Sequence, residues 1–563
     1  MKDGPVVGQL DCATEVRSKR GVVVANTQEA ADAGARILQA GGNAIDAAVA
    51  TALALGVTEA EASGLGGHAW ILIHLANGRD FAIDGSGTLP AAMVPAEIQR
   101  LKDDGLPFGY QMVATPGGLA ALDLALRSFG TRTLAEVMVP AIELARDGVR
   151  LPPHQEAILA TYGWRLRPAP TLADVFLGPG MDPWPSSHPL CMDSLAGTMA
   201  RLAERGVRDF YVGGMAEAIE ADMIANGGYV RRSDLAAVRP AVLQPVRGHY
   251  RGLDVVSFPP PGGGLAVVEA LQILDCFRPE SMAENTIASD VLVAQAAHVA
   301  LVDMFGAWPK RPLGLLQNLS PNHASKRAAL IASGRALRDA EILGTSVRMP
   351  ALGGTTHVSV LDAMGNAVAL TQTYNVEFGA AVASPGLGFI YNGSLSLIDF
   401  DRSDPAALTP GASASPLHTA SPTILLRSGR PVLVLGGPGS GRITSTVVST
   451  VVKLVDRTRR PGDAIAGPRV LWDGGRTPEL YIEVAPPYQE SDVEELQSRG
   501  FPSIYALRFP ARVIDLIAFG GVNLISANPE TGEAVGVGDP RRAGAVATGD
   551  PPWPAARNVR LPR

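Results

Sequence analysis

Directly after Gly353-Gly354 the chain changes to strict alternation: TTHVSVLD (355–362), a tight turn at MGN (364–366), then AVALTQT (367–373). Polar and apolar residues exchanging at every second position are what an antiparallel hairpin with two different faces requires. Further strands are predicted at TILLRS (423–428) and PVLVLGG (431–437), and a helix from Ile443 through Val455. A second hairpin follows in VNLISANPETGEAVGVGD, turning between Asn528 and Gly532. The preceding part is different. GVVVAN (21–26) reads as a strand running into a helix with Thr27 at its N-cap and Ala30, Ala33, Ile37 and Leu38 on one stripe. Asn43 caps a second helix bearing Ile45, Ala48, Val49, Ala52 and Leu53. A Gly-rich turn, SGLGGHAW (63–70), leads into the strand WILIHL (70–75), and 151–260 reads as mostly helical up to the break PPPGGG (259–264). The chain is therefore α+β, with a helix-rich segment 1–354 and a strand-rich segment 355–563.

Composition narrows the function. At 46% hydrophobic and 18% charged residues, the chain is not a mainly disordered one. A net charge of −7 gives no broad basic face for nucleic acid. Cys12, Cys191 and Cys276 are far apart with no CxxC, which excludes a disulfide scaffold and a Cys-rich zinc site. No run of eighteen or more apolar residues calls for a membrane, and the N-terminus has no apolar h-region, so the cytoplasm is the expected compartment. No His/Asp/Glu cluster shows metal-ligand spacing, so neither a catalytic metal nor a cofactor is expected.

Two segments carry candidate chemistry. GGPGSGR (436–442) joins a buried strand to a helix, where several backbone N–H groups converge at a positive helix end. That loop can be a phosphate cradle, although it lacks the Gly-Lys-Ser/Thr ending of a P-loop. It can also be an oxyanion hole built on Gly439 and Ser440, or a turn chosen for geometry, the reading that composition alone favours. Thr355 heads the first strand. Its hydroxyl becomes a good nucleophile if the peptide bond before it is cut, because the freed α-amine, with a pKa of about 7.7–8.0, is then a base at neutral pH. On spacing alone a threonine here is simply a β-former.

Six segments, GGNAIDAAVATALALGVTEAEASGLGG, GTRTLAEVMVPAIELARDGV, NGGYVRRSDLAAVRP, YRGLDVVSFPPPGGG, TTHVSVLDAMGNAVALTQTYNVEFG and LVLGGPGSGRITS, resemble the γ-glutamyltranspeptidase family in its own order. The resemblance implies the four-layer αββα sandwich of the N-terminal-nucleophile hydrolases, with both segments in one intertwined fold. It also implies autocatalytic cleavage between Gly354 and Thr355, giving a heterodimer of the chain's own two fragments. Further dimerisation of that heterodimer is left open, and the implied partner is a small-molecule amide. By the same resemblance Thr355 is the nucleophile and Thr373 hydrogen-bonds it. Asn375 binds substrate, and Gly439 and Ser440 stand at the oxyanion-hole positions, where the family has two glycines.

The glutamate-recognising positions depart from that pattern. Where the family has an arginine that clamps the substrate carboxylate, AIDGSGTLP places Ser86; where it has paired serines, SPLHTASP places His418 and Thr419. The Gln and Asp that hold the α-amino group fall near Ser394 and Leu397, with Asp399 close by. A serine cannot replace a bidentate guanidinium. The expectation is an autoprocessing amidohydrolase or acylase for another acyl group, ahead of a true γ-glutamyl hydrolase or transpeptidase and of an uncleaved binding homologue. His357 is read as structural, because the α-amine already supplies the base. His418 is read as a pocket wall or donor, or else as a structural partner, and His68 as lying near the mouth of the site. Arg442 is read as supporting the loop or a nearby acid.

Overall fold

The computed structural model of the chain describes residues 6–10, 12–283, 286–307, 312–344, 353–398, 400, 409, 411–412, 418–473, 479–501 and 503–550. Asp399 lies outside these residues. Two seven-stranded sheets face each other. The first runs Ala545–Thr548, Gly21–Ala25, Thr355–Asp362, Ala367–Thr373, His68–His74, Asp80–Gly85 and Ala241–Leu243, every neighbour antiparallel. The second runs Thr14–Ser18, Glu533–Gly538, Asn523–Asn528, Arg430–Gly436, Thr423–Arg427, Leu253–Ser257 and Val246–Tyr250. Both sheets take strands from either side of the Gly354–Thr355 bond.

Between them Val22, Val24, Trp70, Leu72, Val256, Phe258, Ile424, Val434 and Ile525 form a buried apolar layer. The outer face of the first sheet packs on Gln28–Gln39 and Ala44–Thr58, and that of the second on Gly264–Asp275 and Ile443–Val455. This is the αββα sandwich that the family resemblance implies: each sheet buries two apolar faces, and helices cover the outer ones. The helix Ile287–Ala307 contains a stretch long and apolar enough to cross a bilayer, but 89% of that stretch is buried inside the fold, as in a core helix. It packs against Gly264–Asp275 and Ile443–Val455.

Local signals behave as their chemistry dictates. Asn43 accepts from the backbone of Ile45 and Asp46 while Asp46 accepts from Asn43 N, a complete capping box. Thr27 does stand at the N-cap position, but its hydroxyl bonds the Thr58 hydroxyl at 2.7 Å and caps nothing. The region 151–260 also contains three strands, 241–243, 246–250 and 253–257, beside its helices. They are only three to five residues long, too short for period 2 to stand out from helical surroundings.

Candidate active site

Antiparallel register sets the site. Thr355 lies opposite Thr373, and Thr373 opposite His68 on the next strand; two residues along, His357 lies opposite Thr371 and Thr371 opposite Trp70. Side chains two apart share a face. Leu361, Ala367 and Ala369 belong to the layer between the sheets, whereas Val358, Val360, Val368 and Leu370 pack toward the helices. Thr355 and His357 therefore face the interior between the sheets.

The hydrogen bonds around the candidate nucleophile have one consistent assignment. Thr373 Oγ1 donates to the Gly354 carbonyl at 2.6 Å and accepts from Asn375 N at 2.7 Å. With its single proton so used, it accepts from the Thr355 hydroxyl at 3.0 Å. The Gly353 carbonyl, at 3.3 Å, is the other acceptor within reach of Thr355 Oγ1. Asn375 sits in the left-handed region at φ +74°, which Asn tolerates better than most side chains. That turn brings Asn375 N back onto Thr373 and sends Nδ2 to Ser394 Oγ at 2.7 Å. Gly353 N in turn bonds the Asn375 carbonyl at 3.0 Å.

From Ser394 the network continues to His68, whose Nε2 lies 2.5 Å from Ser394 Oγ. Gly87 N donates to His68 Nδ1 at 2.9 Å, so the ring proton is on Nε2 and is given to Ser394. Burial holds the His68 imidazole down at about 4, so it is neutral. Beyond it, Trp70 Nε1 donates to Ser86 Oγ at 2.9 Å, and the Trp70 ring stacks on His418 with centroids 3.8 Å apart. His418 is 2% exposed, neither ring nitrogen has a hydrogen-bond partner among the described residues, and burial, aided by the nearby His68, pushes it to about 3.

Each sequence-derived site residue can now be placed. Thr355, Thr373, Asn375 and Ser394 form one hydrogen-bonded chain, and His418 and Ser86 meet on Trp70. Thr419 is different: its hydroxyl donates to the Ser440 carbonyl at 2.8 Å, which holds the Gly-rich loop. Gly439 and Ser440 adopt φ +146° and +60° as the loop turns into the helix at Ile443. A Cβ on Gly436 would collide with the His357 imidazole and one on Gly437 with the Gly521 carbonyl, so these glycines have a packing reason. The same contact sets the start of the loop beside His357, two residues from Thr355.

His357 is structural, as expected. Ser359 gives its proton to Asn523 O, so His357 Nε2–H donates to Ser359, and Nδ1 accepts from Thr371. Arg442 pairs with Asp473 at 2.9 Å and lies over the Tyr481 ring, in agreement with a supporting role. Sequence reasoning missed Trp70, and it gave His68 only a place near the site. The run after His68 is apolar on both faces, so the inward side of that strand becomes readable only once it is paired with Ala367–Thr373. It also missed Glu377, whose carboxylate lies so close to Gly353 that a Cβ there would strike it.

Comparison with known proteins agrees with this geometry. An acylase ACY 1 proenzyme from Pseudomonas sp. (strain V22) is 33% identical over 543 residues, covering 93% of this chain and 93% of that one. A glutathione hydrolase proenzyme from Escherichia coli (strain K12) is 32% identical over 559 residues, covering 95% and 92%. Among solved structures, the cephalosporin acylase from Bacillus halodurans superimposes with a TM-score of 0.83 at 26% identity, covering 98% of this chain and all of that one. The family described as gamma-glutamyltranspeptidase matches residues 30–549. With the αββα sandwich and Thr355 paired with Thr373 at one end of its central strands, the chain belongs to the γ-glutamyltranspeptidase family of N-terminal-nucleophile hydrolases.

Proposed function

We propose that this amide hydrolase uses Thr355 as its nucleophile, matures by cutting the Gly354–Thr355 bond, and acts on acyl groups that carry neither the α-carboxylate nor the α-ammonium of a γ-glutamyl unit. In maturation, Thr355 Oγ attacks the Gly354 carbonyl carbon. The carbonyl oxygen takes up negative charge, and the Thr373 hydroxyl, already donating to it at 2.6 Å, stabilises that charge. The C–N bond breaks, the nitrogen gains a proton as the Thr355 α-amine, and water opens the remaining ester. In turnover the α-amine accepts the Oγ proton as Oγ attacks the substrate amide. The proton passes to the leaving amine, and water resolves the acyl-enzyme. Amides from the Gly439–Ser440 loop are the donors proposed for that oxyanion.

The substrate reading is supported above all by the neutral wall formed by Ser86, Trp70 and His418. Among the described residues no arginine or lysine hydrogen-bonds Ser86, His418, Ser394 or Asn375. The charge at the Ser86 turn is negative, since Ser86 N donates to the Asp84 carboxylate at 2.8 Å. A neutral His418 offers one donor and one acceptor, suited to an uncharged polar acyl group. A site without a carboxylate partner leaves a substrate carboxylate desolvated and unpaired, which costs several kcal/mol.

The test compares p-nitroanilides of neutral acyl groups with γ-glutamyl, glutaryl and adipyl anilides, together with oxamate. Neutral acyl anilides are expected to exceed the γ-glutamyl compound by about 100-fold or more in kcat/KM. The wild-type protein should give two gel bands, the smaller beginning TTHVSV, and Thr355→Ala one band with no turnover. Efficient γ-glutamyl release with glutathione competing would overturn the substrate reading. An intact wild-type chain that hydrolyses amides would overturn the mechanism.

A further inference from the structure

We propose that Glu59, Glu61 and His154 form a structural site for one divalent transition-metal cation on the helix-facing side of the nucleophile strand. Each of the three offers a ligand atom, and these atoms all lie within 4.8 Å of one another. Donors bound at about 2.0–2.2 Å around one such ion must converge on this scale. All three residues are buried, at 0%, 3% and 3% exposure. Glu59 Oε2, Glu61 Oε1 and both nitrogens of His154 have no hydrogen-bond partner among the described residues. Buried polar atoms are almost always paired, and a carboxylate costs the most when it is not. An unpartnered imidazole beside two unpartnered carboxylate oxygens is the donor set of a mixed N/O metal site rather than of Ca²⁺ or Mg²⁺.

The surroundings fit that reading. Glu59 Oε1 accepts from Asn26 Nδ2 at 3.0 Å, and Asn26 Oδ1 accepts from Asn523 Nδ2 at 2.9 Å. This chain orients the carboxylate through Oε1, and the Thr356 hydroxyl of the nucleophile strand also acts on it, as groups behind a metal ligand do. Arg542 acts on both carboxylates, but it also acts on Glu377, whose other cationic neighbour is Arg165. Its charge is therefore spread over three acids. The site also braces the catalytic strands: Glu61 O accepts from Phe378 N at 2.7 Å and Ala62 O from Tyr374 N at 2.9 Å, directly after Thr373.

The experiment uses the full chain, purified without a metal-affinity step. Elemental mass spectrometry is expected to find about one equivalent of a divalent transition metal per chain. Stripping with a strong chelator should lower Tm, and Zn²⁺ or Mn²⁺ alone should restore it. Glu61→Gln and His154→Ala should each lower bound metal at least about tenfold. His323→Ala, in the separate Glu269–Asp303–His323 cluster, should retain it. Should either site variant fail to fold, stripping and metal return on the wild type still decide. The proposal is overturned if the wild type carries no metal and millimolar Zn²⁺ and Mn²⁺ leave Tm unmoved, or if folded Glu61→Gln keeps its metal. A shared proton between the two carboxyls would then be the correct reading, with Glu61→Gln equal to or above wild type in Tm.

Discussion

Replacing Thr373 with valine exchanges one hydroxyl for a methyl group and keeps a β-branched side chain suited to its strand. Three hydrogen bonds go with that oxygen: the one to the Gly354 carbonyl at 2.6 Å, the one from Asn375 N at 2.7 Å and the one shared with Thr355 at 3.0 Å. The first is made to the oxygen that becomes negative when Thr355 attacks. Loss of one such donor costs about 2.7–4 kcal/mol in the barrier, or about 100- to 1,000-fold in rate. The second loss leaves a buried N–H unpaired, at about 1–3 kcal/mol of folding stability. Processing followed on denaturing gels after synthesis at 25 °C should slow by that factor, while far-UV circular dichroism stays native. Thr373→Ser, which restores the hydroxyl, should process within about tenfold of wild type, as the lost methyl only loosens the rotamer. If Thr373→Val matures within threefold of wild type, the hydroxyl is not polarising the scissile carbonyl, and the reading of this network is wrong.

Two further outcomes follow from the same geometry. Gly353→Ala should slow maturation by driving a methyl group into the Glu377 carboxylate, and Gly353→Ala/Glu377→Ala should recover much of the rate; gel time courses check both, and equal slowing in the single and double variants refutes the contact. His68, His357 and His418 are held neutral in the fold at about 4, 3 and 3, so each takes up a proton on unfolding below about pH 6.5. Each therefore removes up to about 1.4 kcal/mol of stability per pH unit as pH falls. Glu269, raised chiefly by burial, acts oppositely and loses stability as pH climbs above about 4.5. His357→Gln isolates one histidine: its urea midpoint should fall less than that of wild type between pH 6.5 and 4.5, and an equal fall refutes the neutrality of His357.

The sequence carried most of the frame. Alternation in 355–373 and 523–538 and the cap at Asn43 are local signals, and the structure repeats them because neighbouring residues decide them. What stayed hidden depends on distant partners. Nothing near Trp70 in the chain points to Ser86 or His418; only the pairing of His68–His74 with Ala367–Thr373 and the stacking of the two sheets bring them together. His154 is likewise remote from Glu59 and Glu61, so no ligand spacing was visible. Thr419 shows the other limit: sequence gave its position, but its hydroxyl serves the Ser440 carbonyl.

Each large sheet interleaves strands from both sides of the Gly354–Thr355 bond, the proposed point of cleavage. Gly21–Ala25 lies against Thr355–Asp362, and Thr423–Arg427 sits between Leu253–Ser257 and Arg430–Gly436. The unsevered chain refolds as a unimolecular event, but two separated pieces must find each other before either sheet can close. Recovery from denaturant should thus be independent of dilution before the cut and second order after it. Cleavage would turn a reversibly folding chain into a product that holds its shape chiefly because its halves never part.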